Sequence, residues 1–268
     1  MHDYDRMYFR MSHAPKMTPV VKVLLLINIV MFAAQVFTPL ELVRLLGLTP
    51  RVISSGWLWQ MLTYMFLHSE GYLFHIIFNL LMLYWFGRDI EMKLGSRRFI
   101  RFYLCAGFVA ALIYTVAEFI IRGRASPAIG ASGAIMAVLV MYAIYYPQRQ
   151  LLFMFLFPMK VRTFVLLMIG VDLYIVFQAA EASNVAAIAH LGGAGYGLAY
   201  YKFSPMIGKW LQGVIEKKKR NFEREEFDSR RRLDDILDKV NKRGIQSLTR
   251  REKKFLKQVS EDIDRRNR

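Results

Sequence analysis

Cysteine is almost absent. Cys105 stands alone among 268 residues, which excludes an intramolecular disulfide framework and a multi-cysteine zinc site. Histidine is scarce, and five scattered copies are too few by count for a metal cluster, so neither metal nor cofactor is expected. Acid is short relative to base: 21 Asp and Glu against 37 Lys and Arg leave a formal net charge of +16. The first nineteen residues lack a short apolar core followed by a small-residue cleavage site. No removable signal peptide is read there, and 1–19 is expected to be a cytoplasmic N-terminal segment. What is abundant is apolar side chain, 55% of the chain. That much apolar surface beside that much charge requires a solvent other than water, and lipid is the candidate.

Six apolar segments carry most of it: Val20–Phe37, Leu73–Met92, Phe99–Ile121, Gly133–Tyr146, Thr163–Ala180 and Val185–Tyr201. Five approach the length at which a helix crosses about 30 Å of hydrocarbon. Helices are expected because each segment must satisfy its own backbone in lipid. The fold class expected is therefore all-α: a polytopic six-helix bundle over 20–202. Leu151–Phe157 is too short to span and, bracketed by Pro147 and Pro158, reads as an interfacial connection.

Basic residues orient the bundle. With the N-terminus inside, the inner regions before the tail hold twelve Lys and Arg, and the outer loops hold four: Arg44, Arg51, Arg122 and Arg124. The positive-inside rule then puts both termini in the cytoplasm, and a bacterial inner membrane is expected. The outer face carries the long Pro39–Tyr72 loop, the Gly123–Ser132 loop and the Glu181–Asn184 turn. Residues 203–268 form a basic cytoplasmic tail, expected to be a small helical hairpin. Gly244 would end one helix, and Thr249 with Glu252 would cap the next. Lys217–Arg220 and Arg230–Arg232 could contact anionic lipid head groups at about 1 kcal/mol per charge. The tail's bases alternate with acids and form no binding motif, so no nucleic acid is expected.

Three stretches carry chemistry. The first is Gly130-Ala131-Ser132-Gly133-Ala134, at the head of the shortest span. A serine there can simply cap a helix. Yet from Ser132 to Tyr146 the helix measures roughly 22 Å, less than the hydrocarbon thickness, so Ser132 lies below the outer surface. The free N–H groups of that helix start must face protein or water, and they favour developing negative charge. The second stretch is Ala189-His190-Leu191-Gly192-Gly193-Ala194-Gly195-Tyr196-Gly197. His190, Gly193 and Gly197 share a helix face, and two glycines four apart allow close backbone approach. Gly133 and Ala134 are small enough to be the partners, which would bring the imidazole within reach of the Ser132 hydroxyl. The third is His75-Ile76-Ile77-Phe78-Asn79, with two side-chain donors on one face. Elsewhere, Asp172 sits in the middle of the fifth segment, where charge is costly, and is expected to be protonated or paired with an inward polar group. Glu118 and Glu181 are expected at the outer interface facing water. Asn28 and Gln35 are expected to bond between helices.

In this order and spacing the three stretches resemble the rhomboid family, over about residues 20–202. The resemblance implies an intramembrane serine endopeptidase that cuts transmembrane or juxtamembrane segments of membrane proteins. It implies a dyad of Ser132 and His190, with an oxyanion site from His75, Asn79 and the Ser132 N–H. Gly87, Glu91 and Gly95 resemble the family's inner loop. Trp59, Gln60, Thr63 and His68 resemble its large first outer loop, which lies partly in the membrane. Two positions depart: Gln60 where some members have arginine, and Met136 where some have an aromatic. No acid lies in a motif beside His190, so a full triad is not expected. The alternative is a non-catalytic rhomboid-like protein that binds membrane clients, and retention of both Ser132 and His190 counts against it. A transporter would need more intramembrane charge than Asp172 offers and a pair of inverted repeats.

Overall fold

The computed structural model describes residues 17–69, 71, 73–121, 127–153, 157–178 and 184–266. The chain divides into two compact units, Met1–Phe203 and Ser204–Arg268. The first begins with α1 (Pro19–Phe37), followed by short helices at Pro39–Leu46, Pro50–Ile53 and Gln60–Thr63. Then come α2 (Leu73–Leu94), α3 (Ser96–Ile121), α4 (Ser132–Tyr145), α5 (Val161–Phe177) and the first part of α6 (Asn184–Arg243). Among the described residues, α1, α2 and α3 are long and apolar enough to cross a membrane, and α4 is a shorter apolar helix.

The core gathers around α4. Eleven of its fourteen residues, Gly133 to Ala143, are buried. Apolar attraction gives no net drive between helices in lipid, so packing rests on close fit and small residues. Ala106, Ala110 and Ala111 on α3, and Ala134 and Ala137 on α4, are fully buried. Ala110, Tyr114 and Glu118 lie four apart on one face of α3, and all three are buried. Glu118 therefore does not face water as expected; its helix face is turned to the core. Glu181 lies outside the described residues.

One carboxylate fastens the other end of the bundle. Glu91 accepts hydrogen bonds from the Val20 and Val21 N–H groups at 3.0 and 2.9 Å, and from Ser96 Oγ at 2.7 Å. It thereby supplies the acceptor that the first turn of α1 lacks, and holds the start of α3 as well. Gly87 makes room for this contact: a Cβ there would lie 3.2 Å from Val21 Cγ2 and 2.8 Å from Leu83 Cδ1. Gly95 turns the chain between α2 and α3 at φ +80°. Between Gly87 and the outer half of α2, residues Leu83–Gly87 form a π turn.

The all-α expectation needs one correction. Gln150–Phe153 (β1) and Phe157–Lys160 (β2) pair antiparallel, from Gln150 opposite Lys160 to Phe153 opposite Phe157. A stretch too short to close helical turns satisfies its amides by pairing with itself. Nearby, Arg149 forms an ion pair with buried Asp89, and Tyr142 Oη accepts from Arg149 at 2.8 Å. This ties the loop after α4 to α2. Of the two amide side chains on α1, Gln35 leaves its helix to bond the backbone of His68. Asn28 instead donates to Leu24 of its own helix at 2.7 Å.

The second unit comprises the rest of α6, a 3-10 turn at Ile245–Ser247, and α7 (Arg250–Arg266). Gly244 ends α6 at φ +76°. Thr249 Oγ1 accepts from the Glu252 N–H at 3.3 Å, and Glu252 accepts from the Thr249 N–H at 2.7 Å. This reciprocal cap starts α7. Lys239 pairs with Glu252 at 2.9 Å, and the Arg232 guanidinium lies 4.8 Å from the Phe255 ring centre.

Candidate active site

Two loops are sewn together to position Ser132. The Pro39–Leu46 helix ends with four carbonyls that no turn of its own can use. Gly47 N–H takes Val43 O at 2.9 Å, and Gln60 Nε2 takes Arg44 O at 3.1 Å. Trp59 Nε1 takes Leu45 O at 3.0 Å, and Thr63 Oγ1 takes Leu46 O at 2.8 Å. Gln60, fully buried, also accepts from the Thr49 N–H at 3.0 Å. Glutamine suits this position because it donates and accepts at once, which arginine cannot do. The ordered loop then holds the segment before α4. Leu48 and Ala128 exchange backbone bonds at 3.0 and 2.9 Å, and the Gly130 N–H donates to Tyr64 O at 2.9 Å.

Gly130 adopts φ +118°, a conformation that L side chains rarely take. A Cβ there would sit 2.8 Å from His75 Nε2 and 3.9 Å from Ser132 Oγ. Those two atoms therefore lie within 6.7 Å of one another. Ser132 is the first residue of α4 and half-buried, and its hydroxyl makes no hydrogen bond among the described residues. It does not cap the helix.

His190 approaches from α6 along a glycine seam. A Cβ on Gly193 would lie 1.8 Å from Gly133 O, and one on Gly197 would lie 2.8 Å from Ala137 O. A Cβ on Gly133 would lie 2.7 Å from Ala110 Cβ and 3.2 Å from Ala189 O. The residue after Ser132 thus lies against the residue before His190, so the backbones that carry the two side chains pass each other closely on facing helices. No hydrogen bond joins them here.

The HxxxN pair is only half available. Asn79, buried, spends one Nδ2 hydrogen on the His75 carbonyl at 2.7 Å and keeps the other. His68 stacks edge-on against His75, ring centres 5.2 Å apart. Gln35 clamps the His68 backbone from both sides, at 3.0 Å to its carbonyl and 2.8 Å from its N–H. Burial first, and then the neighbouring His75, push the His68 imidazole down to about 4, so it stays neutral. Met136 is buried in α4. A cavity of about 610 Å³ opens elsewhere, between Val140 and Ala143 of α4, Arg162 and Val165 of α5, and Ala194 and Leu198 of α6. Its walls start two helical turns below Ser132 and hold none of the residues singled out as catalytic.

Asp172 has an inward polar partner, one of the two outcomes its place in the fifth segment suggested. Both carboxylate oxygens of Asp172 lie 3.2 Å from His190 Nδ1, and Asp172 is 6% exposed. An acid does stand beside the histidine, although it comes from α5 and from no motif. Among the described residues, no group of three or more His, Cys, Asp or Glu is arranged to hold a metal ion.

Comparison with known proteins bears on the same helices. The Rhomboid domain model matches residues 55–204, and the model named Family of unknown function (DUF6576) matches residues 217–262. RHOMBOID-like protein 12, mitochondrial, of Arabidopsis thaliana is 27% identical over 52% of this chain and 44% of its own length. Presenilin-associated rhomboid-like protein, mitochondrial, of Bos taurus is 33% identical over 50% of this chain and 36% of its own. Rhomboid-like protease 2 of Toxoplasma gondii is 26% identical over 65% and 55%. The chain spans less than half the length of the first two relatives. Their names overturn the bacterial inner membrane expected from the sequence and point to a mitochondrial membrane instead. The positive-inside count says which termini share a face, but it does not identify the membrane. With its model matching more than half the residues, across the helices that carry Ser132 and His190, the chain belongs to the rhomboid family.

Proposed function

We propose that this protein is an intramembrane serine endopeptidase that cleaves transmembrane or juxtamembrane segments of membrane proteins in a mitochondrial membrane. The observation that supports the reading is the Gly133–Gly193 contact, which packs the helix headed by Ser132 closely against the helix that carries His190. Six helices span the bilayer in this reading, α1 to α5 and the first part of α6. Both termini lie on the Lys/Arg-rich face, and the basic tail contacts anionic head groups there.

The chemistry follows from the side chains. His190 Nε2 takes the proton of Ser132 Oγ as the oxygen attacks the scissile carbonyl. The tetrahedral oxyanion is stabilised by the Ser132 N–H at the start of α4, by the remaining Asn79 hydrogen, and by His75. His190 then protonates the leaving amine, and water admitted from the opposite face releases the acyl group. The substrate backbone must be extended to be cut, so helix-weakening residues around the cleaved bond favour the reaction.

Purified Ser132→Ala protein is expected to lose cleavage of a labelled single-span substrate while keeping its helix content and melting temperature. Cleavage by that variant at the wild-type rate would refute the assigned nucleophile. The non-catalytic client-binding reading predicts instead that a fluorophosphonate probe leaves Ser132 unlabelled in the folded protein.

A further inference from the structure

α5 exposes most of its surface. Leu166, Leu167, Val171, Leu173 and Tyr174 are each 42% exposed or more, yet Asp172 among them is 6% exposed. A lone carboxylate turned inward from such a helix is costly unless something inside uses it. The partner it meets is His190 Nδ1, 3.2 Å from each oxygen. The two helices supply the match in height: Asp172 lies five residues before the last residue of α5, and His190 six after the first of α6.

We propose that Asp172 is a positioning residue for His190, an inference that rests on the Ser132–His190 reading. An ionised carboxylate can only accept, so the nitrogen facing it carries the hydrogen. With Nδ1 protonated, the lone pair sits on Nε2, the nitrogen that must take the Ser132 proton. When that proton arrives, the ring becomes an imidazolium cation and the buried carboxylate gains a counter-ion. The interaction is therefore stronger in the transition state than in the resting enzyme, which is the condition for accelerating the reaction. No new bond forms to Asp172; it neither gives nor takes the proton that moves between Ser132 and the leaving amine. The resulting site is a serine, a histidine and an acid drawn from three separate helices.

The test compares wild type, Ser132→Ala, Asp172→Asn and Asp172→Glu in the full-length detergent-solubilised protein. Cleavage of a labelled single-span peptide gives kcat and KM, and fluorophosphonate labelling reports Ser132 reactivity without a substrate segment. Asp172→Asn is expected to lower kcat and the labelling rate together by about 10²–10⁴-fold with KM within about threefold. Asp172→Glu is expected to recover most of that loss. Asp172→Asn turnover and labelling within about threefold of wild type, with Ser132→Ala inactive, would overturn the role of Asp172 and leave the nucleophile standing. An active Ser132→Ala protein would instead overturn the reading on which it rests. If Asp172→Asn fails to fold, nitrogen-15 NMR of histidine-labelled wild type decides, with His190 assigned by loss of its signals in His190→Gln. A pyrrole-type Nδ1 with a pyridine-type Nε2 supports the proposal, and the opposite tautomer overturns it.

Discussion

Adding one methyl group at Gly193 is expected to separate Ser132 from His190, the two side chains proposed to react. A Cβ there would stand 1.8 Å from Gly133 O and 2.7 Å from Gly133 C, both backbone atoms that no rotamer change can move. Ordinary contact begins near 3.4 Å, so α6 must withdraw from α4 by about 1.6 Å at this point. His190 sits one turn before Gly193 on the same face and moves with it. Overpacking of this kind costs about 1–3 kcal/mol of stability. A displacement of about 1 Å at a reacting centre costs on the order of 10²-fold in rate. Gly193→Ala is therefore expected to lose two orders of magnitude or more in peptide cleavage while remaining folded at 25 °C. Gly195→Ala is the control, because a Cβ there meets nothing within 4 Å. Cleavage and fluorophosphonate labelling would be measured on both proteins beside thermal unfolding. Gly193→Ala with wild-type kcat/KM would refute the claim that the glycine seam sets the distance between Ser132 and His190.

Two further outcomes follow from the outer loop. Gln60→Ala leaves the Thr49 N–H and the Arg44 carbonyl unpaired, and is expected to cost about 1–3 kcal/mol, read as a lower midpoint in thermal unfolding. An unchanged midpoint would show that the clamp is dispensable. His68 makes stability depend on acid: the folded ring stays neutral down to about 4, whereas an unfolded one takes a proton near 6.5. Stability from this group is whole above pH 6.5 and falls as pH drops towards 4, by on the order of 3 kcal/mol. His68→Gln should flatten that slope in unfolding curves between pH 7 and 4, and matching slopes in the two proteins would sink the assignment.

The helices and the glycine seam were legible in advance, for local reasons. Apolar length marks α1, α2 and α3, and small residues four apart mark the faces where backbones touch. The caps at Gly244 and Thr249 could be read too, because their signals lie within four residues of one another. What could not be read depends on distant pairing. Glu91 reaches α1 seventy residues away, Gln60 reaches carbonyls of another helix, and Gln35 reaches the His68 backbone. Asp172 could have been matched to His190, since both stand at similar height on consecutive helices. The expectation of a protonated or paired carboxylate left that partner unnamed, because it stands on another helix. The pairing of Gln150–Phe153 with Phe157–Lys160 was not read, because a short apolar run between prolines has no periodicity that separates a strand from a coil.

The burial of α4 has a bearing on the bilayer itself. A helix enclosed on almost every side by protein has little lipid contact, so it cannot be stretched, tilted or shortened by a change in membrane thickness. The depth of Ser132 is inherited from the surrounding helices, above all α1 and α3, whose outer faces are apolar and exposed. Thicker or thinner membranes would then leave the proposed nucleophile at a constant height within its own protein shell.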